Sequence, residues 1–284
     1  MREIWGELKN AREEGLLALV PPLPNAVRVL TVDSTRYLRR LRESMPKAEI
    51  YALTSFADAV ELPSVEGLDI RWQVADFRLH APTEYYQQEF FDIIIADPCL
   101  EFAYEPYDTF LSLNRLLKMT GYVVSQFPNI RYHEVLENLR RGEFPVQERH
   151  FFAKTEVVHL LSDAMYQEIS FAPLARDEQV SVAPWEEFGF VNDSEDLLTE
   201  VWMLRADRST AAVAALKSLY DKETRKNLAR ILHRLEYDID TDNQLAALQE
   251  LCRREMIFPD YLRDFIHEAV FHEDKVLGLV QELL

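Results

Sequence analysis

Short apolar runs alternate with helical patterns through residues 26–206, and this alternation restricts the fold more than any other feature of the chain. The clearest run is FFDIIIADP (90–98), which is continuously apolar and ends at Asp-Pro. Such a run is typical of a central parallel strand that is buried on both faces. Because strands and helices follow one another over short connections, the sequence predicts a doubly wound, mostly parallel sheet.

The pattern also predicts where the individual elements lie. Further strands are expected at residues 26–32, 48–54, 68–77 and 122–128, with helices between them. The segment YDTFLSLNRLLKMT is predicted to be a helix that ends at Gly121 as a C-cap. The last two strands, YQEISFAP and DLLTEVWMLRA, follow each other without a clear helix, so we expect an antiparallel pair at one edge.

The two ends of the chain differ from this middle part. Residues 1–25 are predicted to form an amphipathic N-terminal helix followed by a proline-rich linker, Pro21-Pro22-Leu23-Pro24. Residues 207–284 have leucines and isoleucines at helical spacing, with start signals for about four helices. The expected organisation is therefore an α/β domain at 26–206 and an all-helical domain at 207–284.

Composition excludes several classes of function. The net charge of −18 argues against unassisted binding to nucleic acid, which depends on neutralising phosphates. No window of the sequence is long and apolar enough to span a membrane, so a cytoplasmic protein is expected. The two cysteines form no ligand cluster, and His267 and His272 are five apart rather than four. No metal site is therefore expected.

The second half of the α/β region resembles the class I S-adenosylmethionine-dependent methyltransferases, in a bacterial branch often found beside, or fused to, glycosyltransferases. Members of this branch have an LEH turn after the fourth strand, an LLKPGGYVVxSxPNxRH segment, and later an HLRFFT segment. This chain keeps the following matching residues: Leu100-Glu101, Leu116-Leu117-Lys118, Gly121-Tyr122, Pro128-Asn129, Arg131 and His150-Phe151-Phe152. The resemblance implies a Rossmann-like methyltransferase fold with a mostly parallel seven-stranded sheet.

The first half departs from the family at the turn that follows the first strand. In the family, glycines let the backbone of this turn approach the cofactor closely, because glycine has no Cβ. Here Asp33, Thr35 and Tyr37 stand at the three glycine positions, and Thr31 stands at the preceding acid. The side chains of Arg36, Tyr37 and Phe56 are available to fill the space.

The resemblance also implies which residues would contact S-adenosylmethionine if it binds. Thr54 stands where the family has the acid that binds the ribose, Asp76 matches the acid that faces the adenine, and Asp97 ends the fourth strand. The cofactor-binding candidates are Asp33, Ser34, Thr54, Asp76 and Asp97. The catalytic candidates are Asp97, Glu101 and His150.

Two hypotheses about function follow. The first is a methyltransferase-like protein with a degenerate cofactor loop, a non-catalytic or atypical binding or scaffold module linked through the resemblance to glycosylation. The second is an active S-adenosylmethionine-dependent methyltransferase with a non-glycine loop, acting on a small or carbohydrate acceptor. Under the first hypothesis the C-terminal helices would dock a protein partner or mediate self-association.

Overall fold

A computed structural model describes residues 2–3, 14–23, 26–143, 149–192, 195–210, 216 and 219–283. The chain divides into two compact units, Met1–Ser209 and Thr210–Leu284. Among the helices of the described ranges, none combines the length and apolar character needed to cross a membrane.

The first unit is built around one sheet, which in the described residues has eight strands. The strands are β1 (Arg2–Glu3), β2 (Arg28–Val32), β3 (Glu49–Thr54), β4 (Arg71–Val74), β5 (Phe91–Ala96), β6 (Leu117–Pro128), β7 (Glu168–Arg176) and β8 (Thr199–Asp207). The α-helices in the described residues of this unit are α1 (Leu38–Ser44), α2 (Cys99–Phe102), α3 (Pro106–Leu116), α4 (His133–Arg140), α5 (Lys154–Asp163) and α6 (Ala183–Glu187).

The order of the strands identifies the fold. From one edge to the other it runs β4-β3-β2-β5-β6-β8-β7-β1. Strands β2 to β6 are parallel, whereas β8 is antiparallel to both β6 and β7. Leaving out the two-residue β1, this is the seven-stranded Rossmann-like methyltransferase fold, and the predicted fold class and antiparallel pair are confirmed.

Strand β5 is buried on both faces, as its continuous apolar run predicts. Ile94 and Ala96 belong to one apolar cluster, while Ile93 and Ile95 belong to a second. Because successive side chains of a strand point to opposite faces, the two clusters are the cores on the two sides of the sheet.

The second unit contains four α-helices in its described residues. They are α7 (Lys222–Glu236), α8 (Thr241–Glu255), α9 (Pro259–Ala269) and α10 (Glu273–Leu279). Their apolar faces form a core of their own, to which Leu228, Leu232, Leu248 and Ile266 contribute fully buried side chains. The predicted all-helical character of this region is confirmed.

Two local predictions differ from the structure. Helix α3 ends at Leu116, and Gly121 lies inside β6 rather than at a helix C-cap. A glycine is needed there because a Cβ would lie 3.0 Å from the backbone oxygens of Phe91 and Asp92 in the neighbouring strand. The glycine that follows the helical pattern is therefore explained by close packing between β5 and β6 and not by a helix C-cap.

The second difference concerns the predicted N-terminal helix. Residues 1 and 4–13 lie outside the described residues, so most of this prediction stays open. At Arg2–Glu3 the prediction is wrong, because the backbone is extended there and pairs in parallel with β7. Gly15–Leu19 forms a 3-10 helix that buries Leu16 and Leu19 against one face of the sheet.

We expect Gly121→Ala to destabilise the first unit by about 1–3 kcal/mol, because the added methyl group presses on backbone atoms that cannot move aside easily. All four tryptophans lie in this unit, so urea unfolding followed by tryptophan fluorescence measures the effect. Thr120→Ala, an exposed neighbour in the same strand, is the matched control and should change stability by less than about 0.5 kcal/mol. Equal effects of the two substitutions would contradict the packing argument.

In the second unit, a buried carboxylate connects the end of α7 to the segment before α10. Glu236 is 2% exposed. Its oxygens accept hydrogen bonds from the backbone N–H groups of Phe271 (2.8 Å) and His272 (2.9 Å), and they lie 3.0–3.1 Å from Nδ1 of His272 and His233. Burial alone raises the pKa of Glu236, but these hydrogen bonds outweigh it and lower that pKa to about 2.

We expect Glu236→Gln to destabilise the helical unit by about 2 kcal/mol at neutral pH, because two partly buried backbone N–H groups lose a charged acceptor. Since the pKa of Glu236 is lower in the folded state, its contribution is present above the unfolded pKa near 4.5 and is lost as pH falls toward 2. The stability difference between wild type and variant should therefore shrink over that window. Urea unfolding followed by far-UV circular dichroism measures it, and exposed Glu268→Gln is the control.

Candidate functional site

The candidate site lies at the carboxyl edge of the sheet between β2 and β5. From β2 the chain continues outward through β3 and β4, and it then returns to the other side of β2 to form β5 and β6. In open α/β sheets, such a topological switch point leaves a crevice beyond the carboxyl ends of the strands, where ligands bind. The residues that border it here are the turn 33–37 after β2 and Asp97 after β5.

Ser34 bridges the crevice with a buried hydroxyl. The residue is 2% exposed. Its Oγ accepts a hydrogen bond from the backbone N–H of Asp97 at 3.0 Å and lies 2.7 Å from the carbonyl oxygens of Val32 and Asp97. The turn after β2 is thus connected directly to the residue that ends β5.

Arg36 and Tyr37 make a second bridge to the same residue. The Arg36 guanidinium forms an ion pair with the Asp97 carboxylate and donates a hydrogen bond to the Tyr37 hydroxyl at 2.6 Å. Its central carbon lies 4.7 Å from the centre of the Tyr37 ring. The Tyr37 hydroxyl also accepts a hydrogen bond from the backbone N–H of Leu16 at 3.3 Å. The space between the turn and Asp97 therefore contains side chains of the protein itself.

Burial governs the titration of this group of residues. Asp97 is 5% exposed. Burial raises the pKa of the Asp97 carboxyl, and the Arg36 guanidinium offsets only part of that rise. Burial, together with the Asp97 charge, raises the pKa of Tyr37 to about 12, so its hydroxyl keeps its proton at neutral pH. The fully buried Cys99 has its pKa raised well above the ordinary value, which disfavours a thiolate nucleophile.

Asp33 holds the turn in a left-handed conformation. Its φ is +49°, a value that aspartate tolerates better than most residues other than glycine. Its carboxylate accepts hydrogen bonds from the backbone N–H (2.6 Å) and the hydroxyl (2.7 Å) of Ser55, just after β3. The aspartate at the first glycine-equivalent position therefore ties the turns after β2 and β3 together.

The ends of β3 and β4 carry the next two candidates. The Thr54 hydroxyl is buried and turned back on its own loop, accepting a hydrogen bond from the backbone N–H of Phe56 at 3.2 Å. Asp76 forms an ion pair with Arg78 at 2.7 Å and lies 3.5 Å from the Ser55 hydroxyl. Hydrogen bonds from Arg78 lower the pKa of Asp76 despite partial burial. Phe56, 61% exposed, does not fill the crevice.

The remaining candidates lie after β5 and before α5. Glu101 is buried in α2 and forms an ion pair with Arg149. The backbone N–H of His150 donates to the Glu101 carbonyl at 2.9 Å, and the imidazole Nε2 lies 2.8 Å from the Ala103 carbonyl. The structure thus brings Glu101 and His150 together through the backbone, and it brings Asp97 together with Ser34. The described residues hold no group of three or more potential ligands suited to a metal ion.

Sequence reasoning missed three residues that organise this edge. Ser55 contacts both Asp33 and Asp76, Arg78 neutralises Asp76, and Arg149 neutralises Glu101. Only Arg78 had a local signal, since it is two residues from its acid. The other two pairs join segments distant in sequence.

Comparisons with known proteins give structural neighbours only. No family model matches the chain, and no curated protein matches it. A search of solved structures finds an S-adenosylmethionine-dependent methyltransferase from Thermotoga maritima, at 15% identity and TM-score 0.49, with 70% of this chain and 89% of that chain covered.

Two further neighbours were solved with cofactor bound. Phosphoethanolamine N-methyltransferase 2 of Haemonchus contortus, in complex with S-adenosyl-L-methionine, has 12% identity and TM-score 0.48, with 69% of this chain and 51% of that chain covered. Geranyl diphosphate C-methyltransferase of Streptomyces coelicolor, in complex with Mg²⁺, geranyl diphosphate and S-adenosyl-L-homocysteine, has 14% identity and TM-score 0.46, with 67% and 76% covered. The order of the strands identifies the fold of this chain independently of these neighbours.

Proposed function

We propose that this protein uses the methyltransferase fold as a non-catalytic or atypical binding module and does not hold S-adenosylmethionine in the usual manner. One observation carries the proposal: the crevice between β2 and β5 is bridged by Ser34 and by the Arg36–Asp97 ion pair. The usual pocket for S-adenosylmethionine needs open space and a backbone that approaches the ligand closely. The side chains that bridge this crevice are not compatible with either requirement.

The energetic cost of opening this crevice supports the proposal. A ligand that displaces Arg36 leaves the Asp97 carboxylate buried without its cation. Removing one partner of a fully buried ion pair costs about 3–5 kcal/mol, and the cost here is smaller because the Arg36 side chain is 57% exposed. A cost of about 1–2 kcal/mol corresponds to a roughly five- to thirtyfold loss of affinity, unless the ligand supplies a replacement cation.

The alternative is an active S-adenosylmethionine-dependent methyltransferase with a rearranged pocket, acting on a small or carbohydrate acceptor. The observation in its favour is that two acids, Asp33 and Asp76, remain at the carboxyl edge of the sheet, joined through Ser55. In that case Asp33 or Ser34 would bind the cofactor directly.

Calorimetric titration of the full chain with S-adenosylmethionine and S-adenosylhomocysteine tests the proposal. We expect neither heat nor a thermal shift at millimolar ligand, because the crevice is closed. Micromolar binding would contradict the proposal and support the alternative. Under the alternative, Asp33→Ala and Asp76→Ala would each weaken that binding, whereas Asp58→Ala, an exposed acid in the 3-10 helix after Phe56, would not.

We also propose that the C-terminal helices dock a protein partner that presents a cationic amphipathic helix. A groove of about 430 Å³ in this unit has an apolar lining that includes Leu219, Phe258 and Tyr261. Its rim carries Asp260, Asp264, His267 and Glu268. The acidic side chains around an apolar floor complement a helix with an apolar face flanked by lysine or arginine.

A designed helix with leucines on one face and lysines along both flanks is the probe for this groove. We expect it to bind the full chain, and we expect Asp264→Lys/Glu268→Lys to weaken binding roughly tenfold or more because two rim attractions become repulsions. Asp242→Lys/Glu250→Lys, on helix α8, changes the net charge by the same amount away from the groove and should have little effect on binding of the designed helix. Equal loss in both variants, or a dimer that the first variant abolishes, would contradict the partner proposal.

We propose further that the module serves in surface-polysaccharide or protein glycosylation. This proposal rests only on the resemblance of Leu100-Glu101, Pro128-Asn129 and His150-Phe151-Phe152 to a branch found beside glycosyltransferases.

A further inference from the structure

We infer that the crevice between β2 and β5 is a binding site for guanidinium cations, which Arg36 occupies from within the chain. A guanidinium from outside, on a small molecule or on an arginine of a partner protein, would compete with Arg36 for Asp97 and Tyr37. The inference deepens the proposed function and rests on it, because it assigns a ligand class to a crevice that does not take S-adenosylmethionine.

The floor of the site is an anion that requires a cation. The Asp97 side chain is 6% exposed, and its ion pair with Arg36 compensates the buried charge. The backbone on either side is already fixed by Ser34, which is hydrogen-bonded to Asp97 N. The backbone that carries the carboxylate is therefore held by contacts that do not involve Arg36.

The wall of the site favours a cation with a flat face, because Tyr37 presents its ring as well as its hydroxyl to the Arg36 guanidinium. One guanidinium group contacts the Asp97 carboxylate, donates to the Tyr37 hydroxyl at 2.6 Å, and lies 4.7 Å from the centre of the same ring. One nitrogen, Nη2, makes both polar contacts, so guanidinium differs from ammonium here in its flat, weakly hydrated cationic surface against the aromatic ring. An ammonium ion is a compact and strongly hydrated charge, and it matches this arrangement less well.

Arg36 reaches the site from the surface. Its side chain is 57% exposed, although the carboxylate it binds is buried. Rotation about its side-chain bonds alone would withdraw the guanidinium into solvent, with no change in the turn. Asp33 lies on the same edge, and the chain carries a net charge of −18, so approaching cations are favoured.

Chemical rescue of Arg36→Ala tests the inference. We expect methylguanidinium at tens of millimolar to bind this variant and to raise its unfolding midpoint by several degrees. The same salt should raise the midpoint of wild type much less, because Arg36 competes for the site, and it should not raise that of Arg36→Ala/Asp97→Asn. Methylammonium and sodium chloride at equal ionic strength are the controls. If Arg36→Ala does not fold, Arg36→Lys replaces it, since lysine keeps the charge and lacks the flat face.

Two further probes distinguish a small molecule from a partner protein as the source of the guanidinium. Stronger binding of free arginine indicates a small molecule, whereas stronger binding of a blocked Gly-Arg-Gly peptide indicates an arginine of a partner protein. Absence of rescue in a folded variant, or equal rescue by methylammonium, would overturn the inference and leave the wild-type cofactor titration unaffected. If Arg36→Ala binds S-adenosylmethionine and ignores methylguanidinium, Arg36 covers a cofactor pocket and the inference is wrong.

Discussion

The buried contact between Ser34 and Asp97 determines what the carboxyl edge of this sheet can do. The carboxyl ends of β2 and β5 lie on either side of a topological switch point. In open α/β sheets, ligands bind in the crevice beyond such strand ends. Here one serine hydroxyl satisfies the backbone N–H of Asp97 and contacts carbonyl oxygens on both sides of the gap. Arg36 then neutralises the Asp97 carboxylate beside it. With its polar groups mutually satisfied, the crevice is stable without any ligand.

A chain with seven glycines can make this turn because aspartate replaces glycine where the backbone requires a positive φ. The Asp33 carboxylate then provides contacts that glycine lacks, since it binds the backbone and hydroxyl of Ser55. These hydrogen bonds hold the turn at residues 33–37, and the Asp33 side chain occupies space that a glycine would leave empty. At Gly121, by contrast, a Cβ would lie only 3.0 Å from the Phe91 and Asp92 carbonyl oxygens, so any other residue would have to push these backbone atoms aside. Aspartate thus meets the conformational requirement of the turn at residue 33, whereas the close packing between strands at residue 121 favours glycine.

Most of the fold was predictable because its signals are local. The run around Ile93 to Ile95 predicted a strand buried on both faces, and the structure places its alternate side chains in two cores. Helical periodicity after Asp207 predicted the helices of the second unit in the same way. The exceptions were places where a local signal had a distant cause. Gly121 resembled a helix C-cap, yet its neighbours are backbone atoms some thirty residues earlier.

The strand and helix order of the α/β region and the class of sheet follow from the amino-acid sequence alone, and so does the absence of glycine from the turn at residues 33–37. The sequence also indicated Asp33, Ser34 and Asp97 as candidate cofactor-binding residues. Only the tertiary structure decided what they do. The partners of Asp97, Asp33 and Glu101 come from segments 22–63 positions away, and no local pattern encodes which charges meet across such distances. Periodicity reports burial, which is a property of one element, whereas an ion pair in a crevice depends on how several strand ends are brought together.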